Sequence, residues 1–224
     1  MVAYTARGQP FYLWNWMADQ RMIFQGNDIP VSGTQVITNS ERELLATNSG
    51  KAIFLYDTSN GKPLGMFLSG MPAALYQKVE QRIAYFSMSP EDPVLKLMYE
   101  NMGGHKSDVT SLAMTSDGMW LFSGGDDCTI RRWNIEDPLN VWSKGVGVME
   151  GHTSAVTKIV YVPSSDFIVS CGQDGTLRIW NFMTAKEVNC VNLNETLISL
   201  AISPNGQKLA VGSASGNITI FALH

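Results

Sequence analysis

A chain of 224 residues, 45% hydrophobic and 16% charged, is long enough for one large all-β domain or two small ones, and nothing in it is disordered or collagen-like in composition. The net charge of −4 arises from 20 acidic against 16 basic residues with neither a basic block nor an acidic tail, so direct nucleic-acid binding has no electrostatic footprint. No stretch approaches the ~18 apolar residues of a membrane span, and the N-terminus MVAYTARGQPFYLWNW lacks the apolar core of a signal peptide.

Short apolar runs punctuated by Gly, Asn, Asp and Pro recur along the chain, the pattern of short antiparallel strands joined by tight turns. Taken in order, they end in aromatic-tipped segments: FYLWN at Trp14, IFLYD at Tyr56, IRRWN at Trp133, LRIWN at Trp180 and ITIFA at Phe221. The steps from Trp14 to Tyr56, from Trp133 to Trp180 and from Trp180 to Phe221 are similar in length, and units of roughly 40 to 45 residues with four strands each are the blades of a β-propeller. The expected units are 1–26 (incomplete), 33–69, 104–149, 151–192 and 196–224, the last lacking a fourth strand. Residues 70–103, which include RIAYFS at Arg82 to Ser87, are read as a degenerate blade, with a surface insertion as the other reading. About five to six blades' worth is present, and the ring is expected to be incomplete at both ends. A missing N-terminal segment or a partner strand would complete it. In the best unit the strands are expected at Val156 to Val162, Phe167 to Ser170, Thr176 to Asn181 and Glu187 to Val191.

Two of these units are nearly superimposable. Gly104 to Asn134 reads GHKSDVTSLAMTSDGMWLFSGGDDCTIRRWN and Gly151 to Asn181 reads GHTSAVTKIVYVPSSDFIVSCGQDGTLRIWN. A His, a Ser, an Asp and a Trp follow one another at identical spacing in both, with no gap between the copies. The residues are His105, Ser123, Asp127, Trp133 and His152, Ser170, Asp174, Trp180. A Ser-His-Asp set could supply nucleophile, base and orienting acid. A catalytic triad occurs once, however, whereas this set occurs twice, each time with a Trp and without a GxSxG elbow. No catalytic residue is therefore assigned.

The GH start, the SGGDDCTIRRWN and SCGQDGTLRIWN endings and their spacing resemble WD-repeat β-propellers, and together with the weaker units the resemblance covers most of the chain. It implies that each set of four is a hydrogen-bonded structural tetrad, with Trp donating to Ser, Ser to His and His to Asp. It also implies a non-enzymatic scaffold that holds several other proteins in one assembly. The alternative is the substrate-recognition subunit of a ubiquitin ligase. The basic residue such receptors often carry two places after Trp-Asp is replaced by Glu136 and Met183. The units ending at Tyr56 and Phe221 lack the tetrad and are expected to rely on apolar packing.

No cofactor and no metal site is expected: the histidines are His105, His152 and His224, and the glycines of GVGVMEG at 145–151 precede no helix. Cys128, Cys171 and Cys190 form no CxxC pair and read as small thiols in a reducing compartment, so an intracellular, cytoplasmic location is expected, with the nucleus left open. Two positions stand out as candidate partner contacts. Arg132 occupies a column that is Leu13, Leu55, Ile179 and Ile220 in the other units, where a charge must reach solvent, an acid or a partner. Trp142 lies in the long linker Ile135 to Glu150, beside Asp137 and Pro138.

Overall fold

The computed structural model describes residues 2–4, 11–15, 20–24, 36–39, 44–59, 63–68, 104–135 and 147–223. Segment 70–103 and the linker residues 136–146, Trp142 among them, lie outside the described residues. Among the described residues the strands form five antiparallel meanders. The first sheet contains β1 (Val2–Tyr4), β2 (Phe11–Asn15) and β3 (Gln20–Phe24), and the second β4 (Val36–Asn39), β5 (Leu44–Ser49), β6 (Ala52–Asp57) and β7 (Pro63–Leu68). The third sheet is β8 (Val109–Met114), β9 (Trp120–Gly125), β10 (Thr129–Asn134) and β11 (Val148–Glu150). The fourth is β12 (Val156–Tyr161), β13 (Phe167–Gly172), β14 (Thr176–Asn181) and β15 (Lys186–Asn192), and the fifth is β16 (Leu197–Ile202), β17 (Lys208–Ser213) and β18 (Ile218–Ala222).

The strands of the fourth sheet fall close to the expected bounds at each end. β12 stops at Tyr161 because the next N–H, of Val162, closes the turn onto the Phe167 carbonyl at 3.0 Å. The turns carry their own side-chain bonds. Thr115 Oγ1 lies 2.5 Å from Asp117 Oδ1, which also accepts the Met119 N–H, and in the fifth sheet Ser203 Oγ lies 2.7 Å from Asn205 Oδ1. Such Asx-type bonds are what select Asp, Asn and Ser at these places.

The second strands of the third and fourth sheets read as continuous apolar or small runs, LFSGG in β9 and IVSCG in β13, and every one of those residues is buried. A strand covered on both faces need not alternate, and the sheets accordingly stack face to face with a shared core at each junction. Ala46, Ile53 and Leu55 meet Val109, Leu112 and Leu121 between the second and third sheets. Phe122 and Ile130 meet Val156, Ile159, Ile168 and Phe182 between the third and fourth. Val169, Cys171 and Leu177 meet Leu197, Leu200 and Val211 between the fourth and fifth.

Polar ties cross the same junctions. A β-bulge falls at the second residue of β8 and β12, between Val109 and Ser111 and between Val156 and Lys158. The bulged residue is Thr110 or Thr157. Thr110 Oγ1 donates to the Val156 carbonyl of the fourth sheet, and Thr157 Oγ1 donates at 2.7 Å to the Leu197 carbonyl of the fifth. Between the second and third sheets, the buried Asn48 Nδ2 donates to the Val109 carbonyl at 2.5 Å and the Val109 N–H to the Gly50 carbonyl at 2.9 Å.

Candidate functional site

The expected sets of four are brought together in both units. In the third sheet Trp133 Nε1 donates to Ser123 Oγ at 2.8 Å, Ser123 Oγ lies 2.7 Å from His105 Nε2, and His105 Nδ1 lies 3.0 Å from both oxygens of Asp127. In the fourth, Trp180 Nε1 donates to Ser170 Oγ at 2.8 Å, Ser170 Oγ lies 2.8 Å from His152 Nε2, and His152 Nδ1 lies 2.9 Å from Asp174 Oδ2. A Ser hydroxyl that accepts from the indole has its own hydrogen for the imidazole Nε2, so Nδ1 carries the ring proton and donates it to the carboxylate.

Each Asp is held by more than the His. The Thr129 and Thr176 hydroxyls donate to Asp127 and Asp174 at 2.8 Å, the Thr129 and Thr176 N–H groups donate to the same carboxylates, and the Lys106 and Thr153 N–H groups close the entry loop onto them. These two threonines are a fifth repeated position that the tetrad pattern leaves out, and their identical offset from His105 and His152 is the signal that finds them. Burial would raise the Asp127 carboxyl, but the His105 hydrogen bond and charge, the Lys106 N–H and the Thr129 hydroxyl outweigh it and hold the group well below the usual carboxylate range. Asp174 is lowered in the same way, burial being outweighed by donors from Thr176, Thr153 and His152. Burial is the main influence on His152 and pushes its pKa below the ordinary 6.5, against the pull of Asp174.

As chemistry, this geometry is spent internally. Ser123 and Ser170 are fully buried, and each hydroxyl already has two partners, leaving it no approach to a substrate carbonyl.

Arg132 is turned toward the neighbouring sheet. Its guanidinium lies over the Trp120 ring, 4.6 Å from the centroid, and donates to the Phe182 carbonyl and, at 3.1 Å, to that of Met183. The charge in an aliphatic column is accommodated by a cation–π contact and two main-chain acceptors beyond the end of β14. Phe182 itself packs tilted against Phe122 with ring centroids 5.0 Å apart, so the arginine caps an aromatic junction between the third and fourth sheets.

The last unit corrects the expectation of apolar packing alone. Glu195, in the entry loop before β16, accepts from Ser215 Oγ and from Asn217 Nδ2 at 3.0 Å, and Ser215 Oγ lies 2.7 Å from Ser213 Oγ. Those donors from Ser213, Ser215 and Asn217 hold the carboxyl below its ordinary range. The acid has moved from the turn, where Asp174 stands, to the entry loop, with the hydroxyls now in the turn. The connection between loop and turn is kept with its polarity reversed.

Against known proteins, the sequence matches the family WD40, described as WD domain, G-beta repeat, over residues 96–134, 143–181 and 185–221, just over half of the chain. Striatin-3 of Rattus norvegicus is 40% identical over 122 residues, which cover 48% of this chain and 15% of that protein. Ribosome biogenesis protein erb1 of Emericella nidulans is 46% identical over 44 residues, 20% of this chain and 6% of that one. The chain thus spans a small fraction of the length of these relatives. Among solved structures, the WD40 repeats of RRP9 superpose with a TM-score of 0.61 over 89% of this chain and 53% of that one, at 14% identity. The fold is therefore an all-β propeller architecture of four-stranded antiparallel blades, and the chain belongs to the WD40 repeat family.

Proposed function

We propose that the protein is a non-enzymatic scaffold that holds other proteins together in an intracellular, cytoplasmic assembly. The observation that carries this reading is the duplication of the His-Ser-Asp-Trp network: the polar groups with catalytic potential recur with the same bonds in two sheets and are consumed in bracing each of them. What remains for function is surface. Propeller sheets offer exposed loops, faces and strand edges, and proteins are the ligands that such surfaces fit. The outer edge of β18, the last of three strands in its sheet among the described residues, presents main-chain groups to which a partner's strand can add.

Affinity purification of the tagged protein at its native level, with identification of what co-purifies, tests the reading. A reproducible set of proteins in fixed ratio is expected. Recovery as a lone species with a hydrolytic activity that Ser123→Ala and Ser170→Ala abolish would refute it.

A further inference from the structure

One position on the first strand of the third, fourth and fifth sheets is Ser111, Lys158 or Ser199, paired across to Gly124, Cys171 or Gly212 on the second strand. In the third sheet the serine ties two sheets together: Ser111 Oγ accepts the N–H of Ile159 from the fourth sheet at 2.9 Å. An ammonium group has only donors, so Lys158 makes no such bond. The lysine also faces an apolar junction. Residues paired directly across antiparallel strands share a face, which places Lys158 with Cys171 and, by alternation along β12, with Val160 and Val162. Those three residues pack with Leu197, Leu200 and Val211 of the fifth sheet, and Cys171 Sγ donates weakly to the Ser199 carbonyl at 4.0 Å.

The junction supplies this cation with no counter-charge. The strands packed most extensively against β12 are β8, β9, β13 and β16, and none of them carries an acidic side chain. Other cations of the same two sheets are provided for: Arg132 rests on the Trp120 ring and two carbonyls, and Arg178 pairs with Glu187. Among the described residues no carboxylate pairs with Lys158. Such surroundings favour the neutral amine, and burial pushes the Lys158 pKa below its ordinary 10.5, opposed only by the Cys171 thiol. The side chain is nevertheless partly exposed. A neutral amine within reach of solvent is a nucleophile.

We propose that Lys158 is an acylation site, its amine taking an acyl group from a thioester. The Nζ lone pair attacks the thioester carbonyl carbon, and the C–N bond forms as the C–S bond breaks. The thiolate leaves with the bonding pair and takes up the proton that the nitrogen sheds. An amide and a free thiol result, with no change of oxidation state. Acylation suits this position where methylation does not: it abolishes the charge that the apolar junction leaves without a partner, whereas a methylated amine keeps it. The neighbouring Thr157 hydroxyl bond to the Leu197 carbonyl is untouched, so the modification acts on the same junction by removing a buried charge from it.

Treating the full chain with acetyl-coenzyme A near neutral pH, and following acetylation residue by residue with mass spectrometry, tests this. The exposed Lys106, Lys186 and Lys208 serve as references in the same sample. Lys158 should react at least about threefold faster than any of them, although it is the less exposed, because a larger share of it is neutral. In urea, where the junction is gone, that advantage should vanish. Protein isolated from its own cells should carry more acyl group at Lys158 than at the three references. Lys158→Gln, which removes the charge, should melt at a higher temperature than Lys158→Arg, which keeps it. A Lys158 rate at or below the references, an advantage that survives in urea, native protein unmodified at this residue, or a Gln variant that melts no higher than the Arg variant overturns the proposal.

Discussion

Replacing His152 by Ala is the sharpest test of the bracing reading. The imidazole is buried, lies 2.8 Å from Ser170 Oγ and 2.9 Å from Asp174 Oδ2, and packs beside Trp180 with ring centroids 6.2 Å apart. Its removal strands the Ser170 hydroxyl hydrogen in a fully buried site, which costs about 1–3 kcal/mol. Asp174 is less affected, because the Thr153 and Thr176 N–H groups and the Thr176 hydroxyl still serve it. The lost ring contacts and the void against Trp180 add to the cost, so about 2–4 kcal/mol in total is expected. Urea unfolding read by tryptophan fluorescence measures it directly. A cycle with Asp174→Ala should show a coupling of about 1 kcal/mol, since each single change already removes the shared bond. A loss below about 0.5 kcal/mol for His152→Ala would show that the network braces nothing.

The acid side of the stability profile should follow the same group. Because the folded pKa of His152 lies below its ordinary 6.5, its contribution is complete above that pH and is lost as pH falls toward the folded value; Asp174, also lowered, adds a second loss below its ordinary 3.8. Unfolding midpoints between pH 7.5 and 5 should therefore decline, and the decline should be shallower in His152→Asn; an unchanged slope would contradict the assignment. Cys128 has φ +66° where its counterpart Gly175 has φ +76°, so Cys128→Gly should raise stability by about 0.5–1 kcal/mol, read as a higher melting temperature, and a lower one would refute the strain. Gly124→Val should cost about 1–3 kcal/mol by driving Val156 and Ile159 out of place, and a neutral result would mean that the junction between the third and fourth sheets is loosely packed.

Much of this architecture is written in periodicity. Tight turns, aromatic-tipped strands and the two copies of the tetrad spacing suffice to place the strands of the fourth sheet within a few residues, because turn chemistry and strand alternation are local. The tetrads are legible for a different reason: a network that must close in three dimensions fixes the spacing of its members in one. The Glu195 connection escapes that logic, since reversing donor and acceptor between loop and turn preserves the geometry while erasing the residue pattern. Arg132 is legible as an anomaly, but its destination is not. The Phe182 and Met183 carbonyls that receive it are main-chain atoms far along the chain, and no side chain there announces them. The inter-sheet threonines are equally silent, although both stand at the same offset from the His, because a Thr in a strand is ordinary until its bulge turns it outward.

That bulge has a consequence for how such a molecule can change over evolutionary time. Thr110 and Thr157 each reach across to a carbonyl, and every amino acid supplies a carbonyl. The receiving unit is thereby freed from keeping any particular side chain at the point of attachment. The fifth sheet illustrates it: the sheet has shed the His, Asp and Trp of its neighbour, yet the Leu197 carbonyl still accepts the Thr157 hydroxyl. One repeat can drift while the preceding one keeps hold of it, so that divergence proceeds unit by unit without the stack coming apart.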